Sequence, residues 1–91
     1  MQRCVRVQIH GTVTGVGFRY STLREARHYP GLQGTARNVD SRTVECVLQG
    51  DPDHVAEMLR WLRRGPASAQ VTDVDVEELN ERTDLGPFTI R

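Results

Sequence analysis

A chain of 91 residues has room for one domain and one modest hydrophobic core. At 37% hydrophobic and 26% charged residues it has the composition of a globular protein in water. No apolar run approaches the roughly 18 residues of a membrane span, no apolar stretch behind Met1–Arg6 makes a signal peptide, and the 12 basic residues only balance the 12 acidic ones, which argues against retention on nucleic acid by bulk charge.

The expectation is therefore one domain over residues 1–91, cytoplasmic, a monomer by default, with neither membrane nor nucleic acid as partner. The two cysteines, Cys4 and Cys46, form no secreted disulfide framework and no C-x-x-C pair. His10, His28 and His54 lie far apart, without metal-ligand spacing, so no metal is expected.

Val5, Val7 and Ile9 alternate with Arg6, Gln8 and His10, the period of a half-buried strand. Gly11, Gly15 and Gly17 punctuate the connection that follows. Arg19 to Tyr29 carries no breaker and suits a helix, closed by Pro30-Gly31. Thr35 to Asn38 is a short, weakly patterned strand, and Val39 to Arg42 is the expected hairpin turn. Thr43 to Gln49 is a stronger strand, with Val44, Cys46 and Leu48 on one face. From Asp51 to Arg64, Val55, Met58, Leu59 and Leu62 form one helical stripe. Val71, Val74 and Val76 mark a fourth strand, and Phe88 and Ile90 a short fifth one.

This order gives an α+β, ferredoxin-like βαββαβ sandwich: an antiparallel sheet, two helices on one face and a short fifth strand. Cys46 then faces the helices while Cys4 points away, so two free thiols are expected.

The unusual segment is Gly11-Thr12-Val13-Thr14-Gly15-Val16-Gly17-Phe18-Arg19. Glycines there permit positive φ and close approach of a ligand. The helix start supplies free N–H groups, and an arginine adds a planar fork matched to phosphate oxygens. The segment lacks the Gly-Lys-Ser/Thr of a Walker loop and the third glycine of a dinucleotide fingerprint, which Tyr20 replaces. Two readings stand at this point, a phosphate cradle and a plain strand-to-helix turn with a solvated arginine.

Gly11-x-Val13-x-Gly15-Val16-Gly17-Phe18-Arg19 resembles the acylphosphatase signature Gly-x-Val-Gln-Gly-Val-Gly-Phe-Arg, with Thr14 as the one departure. Gly31-Leu32-x-Gly34-x-Ala36-Arg37-Asn38, Gly65-Pro66-x-x-Ala69-x-Val71-x-x-Val74 and Phe88-x-Ile90-Arg91 resemble further family motifs, in the family's order along nearly the whole chain. The resemblance implies a free-standing acylphosphatase, hydrolysing the carboxyl–phosphate bond of small acyl phosphates without cofactor, metal or covalent intermediate. It implies that Arg19 and the backbone amides of Gly15, Val16, Gly17, Phe18 and Arg19 bind the phosphoryl oxygens. It implies that Asn38 orients the attacking water. Against the family pattern, Thr14 replaces a glutamine, Ser41-Arg42 stands where an Asp-Gly turn is usual, and the Arg19–Asn38 stretch is one residue longer, at Pro30.

The bland reading claims other polar residues. Ser21 and Thr22 suit helix capping. Arg37 suits a solvated strand position, His10 and His28 the surface, and Arg60, Arg63 and Arg64 a helix C-terminus. Phe18 and Phe88 suit the core, and Trp61 falls off the apolar stripe. The competing function is a non-catalytic phosphate- or anion-binding regulatory module on the same fold. An RNA-binding module is disfavoured, because Val5 to His10 and Thr43 to Gln49 hold no aromatic residue on which a base could stack.

Overall fold

The computed structural model describes residues 1–91. Its elements are β1 (Arg3–Thr12), α1 (Phe18–Ala26), β2 (Gln33–Asp40), β3 (Thr43–Gly50), α2 (Pro52–Arg64), β4 (Gln70–Leu79) and β5 (Thr89–Ile90). The strands form one sheet in the order β4-β1-β3-β2-β5. This is the ferredoxin-like arrangement read from the sequence.

The alternation of β1 sorts its side chains between the two faces. Val5, Val7 and Ile9 are fully buried and lie opposite Leu48, Cys46 and Val44 of β3. Together with Val55, Met58, Leu59 and Leu62 of α2 and Phe18 of α1 they make the core cluster. Helix α2 starts as its sequence demands: the Asp51 carboxylate accepts the Asp53 N–H at 2.8 Å, and Pro52 occupies the first helical position, where its missing N–H costs nothing. Helix α1 ends at Ala26, short of Tyr29. Its last turn tightens, with the N–H groups of His28 and Tyr29 donating three residues back, because the residue before a proline resists helical backbone.

Three features of the sheet differ from a plain antiparallel reading. Strand β2 is longer than Thr35 to Asn38, and the hairpin turn is correspondingly confined to Ser41 and Arg42. Val71 and Val74 share a face although three residues apart, because a bulge sets Val71 opposite Gly11 and Asp73 opposite His10. Strand β5 pairs parallel with β2, Thr35 with Thr89 and Ala36 with Ile90. The cause is where β4 stops. Leu79 lies beside Cys4, at the end of the sheet where β2 begins. A chain crossing there from one edge to the other re-enters running alongside β2.

A buried glutamine fastens that crossing. Gln49, 1% exposed, donates to the Arg82 carbonyl at 2.8 Å and to Gln33 Oε1 at 3.0 Å, and accepts the Arg82 N–H at 2.7 Å. Gln33 in turn donates to the Leu85 carbonyl at 3.1 Å. Cys4 sits opposite Gln49 on the face away from the helices, yet it is only 3% exposed. Both cysteines are free thiols. Burial raises the Cys4 thiol above its ordinary value and pushes that of Cys46 up to about 12.

Two outcomes follow. Neither thiol reacts with Ellman's reagent in the native protein, since both are buried and protonated at neutral pH, and both react in denaturant. Gln49→Leu keeps the shape but strands the Arg82 N–H and carbonyl, lowering unfolding free energy by about 2 kcal/mol in urea titration.

Candidate functional site

Five residues carry the chain from the end of β1 to the start of α1. Val13 is buried in the core and anchors the near side. Gly15 and Gly17 then take φ of 71° and 76°. A Cβ at either would meet nothing within 4 Å, so the backbone conformation, not lack of space, calls for glycine. Gly17 is the N-cap of α1 and offers no side-chain cap. The first backbone bond of the helix runs from the Ser21 N–H to the Gly17 carbonyl at 2.9 Å. The N–H groups from Gly15 to Tyr20 are therefore spent on no backbone partner, at the positive end of the helix dipole.

Phe18 fixes the first turn. Its ring is 1% exposed and lies 6.0 Å, centroid to centroid, from Trp61 of α2. With Phe18 turned inward, Arg19 turns toward an open cavity of about 150 Å³. Gly15, Gly17, Phe18 and Arg19 line this cavity, with Asn38 from β2, and Val13, Tyr20 and Ile90 complete the lining. Arg19 Nη1 donates to the main-chain oxygen of Arg91 at 2.6 Å, which restrains the guanidinium. A guanidinium, a row of unspent N–H groups and an exposed neutral amide thus face one small space, a donor-rich setting for an oxyanion.

Of the residues expected to bind phosphate or water, Val16 alone lies outside the lining. Its side chain packs against the core and its carbonyl accepts the Ser68 hydroxyl at 2.8 Å. Thr22 is no cap: buried completely, it donates to the Phe18 carbonyl at 2.8 Å. Ser21 lines a separate surface cavity beside Arg24 and Trp61. Arg37 points to the helix-free face and pairs with Glu45 at 3.1 Å. His10, on the same face, contacts Thr43 Oγ1 and Asp75. Arg60 pairs with Glu57 at 2.6 Å.

The three departures from the family pattern resolve structurally. Pro30 lies in the turn after α1, away from the cavity, so Arg19 and Asn38 still face the same space. Thr14 and Ser41 brace each other: the Thr14 hydroxyl donates to the Ser41 carbonyl at 2.6 Å, next to the Gly11 N–H bond to the Arg42 carbonyl at 3.0 Å. No non-glycine residue has positive φ, so Ser41-Arg42 cannot form the mirror-image turn that Asp-Gly favours. The register instead slips between Asn38 and Asp40, and the Asp40 carboxylate accepts the Arg42 N–H at 2.8 Å. That backbone bond, with one from the Thr43 side chain, holds the Asp40 carboxyl below its usual value.

Tyr20, Ile90 and the Arg91 main chain escape a reading of the sequence. The closing Phe88-x-Ile90-Arg91 motif marks the segment, but a main-chain acceptor has no residue identity to read.

The family model described as acylphosphatase matches residues 5–90. The chain is 50% identical over 72 residues to an acylphosphatase of Paraburkholderia xenovorans, spanning 79% of this chain and 73% of the relative. A solved acylphosphatase from Coxiella burnetii superimposes with a TM-score of 0.90 at 33% identity, covering 99% of this chain and 93% of the other. One from Bacillus subtilis gives 0.89 at 30% identity, covering 100% and 99%.

Calorimetry with inorganic phosphate tests the cradle. Arg19→Ala abolishes measurable binding, whereas Arg37→Ala, on the opposite face, leaves it intact. Thr14→Val, which removes one brace of the loop, weakens binding about fivefold.

Proposed function

We infer that this chain, which belongs to the acylphosphatase family and is an enzyme, hydrolyses acyl phosphates to carboxylate and inorganic phosphate through Arg19, Asn38 and the amides that run from Gly15 to Arg19. The observation that carries the assignment is that Arg19, Asn38 and the loop residues Gly15, Gly17 and Phe18, whose N–H groups have no backbone partner, line one cavity of about 150 Å³.

The chemistry suits so sparse a site. An acyl phosphate is a mixed anhydride whose leaving carboxylate belongs to an acid of pKa about 4, so departure needs no proton donor. The barrier lies in bringing water to phosphorus against negative charge. Arg19 and the N–H groups neutralise and orient the phosphoryl oxygens. Asn38 has no basicity; its amide positions the water by hydrogen bonding. As the water oxygen bonds to phosphorus, the bond from phosphorus to the acyl oxygen breaks. The carboxylate leaves with the electron pair, and both protons of the water stay in the phosphate product. The role of Val16 in this scheme is confined to its backbone, since its side chain is committed to the core.

We place the whole of residues 1–91 in one acylphosphatase domain, acting as a cytoplasmic monomer on a small-molecule substrate. No helix is long and apolar enough to cross a membrane. A non-catalytic anion-binding module would be favoured if the Ser41-Arg42 turn or Pro30 disturbed the cavity. Neither intrudes on the cavity, and the turn braces the loop, which supports the catalytic reading.

Hydrolysis of benzoyl phosphate followed by ultraviolet absorbance tests the assignment. Wild-type turnover persists in the presence of a chelator. Arg19→Ala lowers kcat/KM by roughly 10³-fold and Asn38→Ala by roughly 10²-fold, with folds intact by circular dichroism. Undiminished turnover in either folded variant would remove that residue from the mechanism.

A further inference from the structure

Resting on the acylphosphatase reading, the cavity raises the question of where the acyl group goes. A space of about 150 Å³ equals roughly five water molecules of liquid volume. On that reading the phosphoryl group and the attacking water take up so small a space, which leaves the acyl group to extend through its open side.

The large apolar side chains open to solvent are Met1, Tyr20 at 56% exposure and Val39 at 44%. Two of these three follow directly in the chain the residues assigned to the reaction, Tyr20 after Arg19 and Val39 after Asn38. Tyr20 itself lines the cavity. Its ring does not hang free: the Arg24 guanidinium lies 6.0 Å from the ring centroid, one helical turn on. An aromatic ring held in place and left exposed at the rim of a phosphate cradle offers a surface to whatever extends from the phosphate.

We propose that Tyr20 forms an acyl-group subsite that favours apolar, and above all aromatic, acyl phosphates over small ones, with Arg24 as the residue that positions the ring. The phosphoryl contacts are common to all substrates and cancel in a comparison between them; discrimination then comes from the rim.

The test compares benzoyl phosphate and acetyl phosphate on wild type, Tyr20→Ala, Tyr20→Phe and Arg24→Ala. The readout is the ratio of kcat/KM for the two substrates, in which their different intrinsic reactivities cancel between wild type and variant. In Tyr20→Ala the ratio of benzoyl to acetyl falls about tenfold, through KM for benzoyl phosphate, while Tyr20→Phe keeps it within about twofold of wild type. Arg24→Ala moves the ratio the same way by a smaller factor. A ratio unmoved in Tyr20→Ala, or a loss shared equally by both substrates, overturns the subsite and leaves the hydrolase reading standing. Absence of turnover on both substrates in the folded wild type overturns the hydrolase reading, and the subsite with it.

Discussion

The connection from β1 to α1 must lift the chain off the sheet and start a helix within five residues, and it does so through two glycines in the left-handed region. That backbone leaves no capping side chain at the start of α1, which with glycine at the cap costs only a few tenths of a kcal/mol relative to Ser, Thr, Asn or Asp. Here the missing cap is what keeps a row of N–H groups unspent. The rest of the site is arranged around this. Phe18 is driven into the core, so its neighbour Arg19 is turned outward beside the bare N–H groups. Asn38 belongs to β2, on the sheet face that carries the helices, where its register partner is the buried Val44.

The arginines divide by partner. Arg3, Arg6, Arg37, Arg60 and Arg82 are matched to carboxylates in surface ion pairs, several of them along the helix-free side of the sheet. Such exposed pairs contribute little to stability. Arg19 is held by a main-chain oxygen instead. A main-chain oxygen orients the guanidinium through one nitrogen and leaves the remaining donors of the fork for another group. Among the arginines without a carboxylate partner, Arg19 is the one that lines the cavity of the glycine loop.

Much of this was legible in the residues. The alternation of β1 and β3, the stripe of α2 and the element order all reflect periodicities that tertiary packing reinforces. The glycine loop was legible because a left-handed turn restricts which residues serve, whereas Asn38 stood out only through the resemblance of its motif. Other features depend on contacts between distant segments. The parallel direction of β5 follows from where the crossing segment meets the sheet, and the burial of Cys4 from what passes over it, neither of which is a property of those residues themselves. Val71 and Val74 sit in a spacing that fits no simple strand, because a bulge needs its partner strand to be recognised. Tyr20 reads as an ordinary helix residue until the cavity beside it is known.

The contact between Arg19 and residue 91 spans 72 positions of the chain. Strand β1 likewise pairs with β4 from the far half of the sequence, and β2 pairs with β5. Loop-closure entropy is spent before such contacts repay it, so sheets of this kind assemble slowly and late. The glycine loop is a local structure that a partly formed chain can sample early. The groups that enclose it, Ile90 and the oxygen that steadies Arg19, belong to the far end of the chain. The cavity is accordingly complete only when the edge strand is paired with β2.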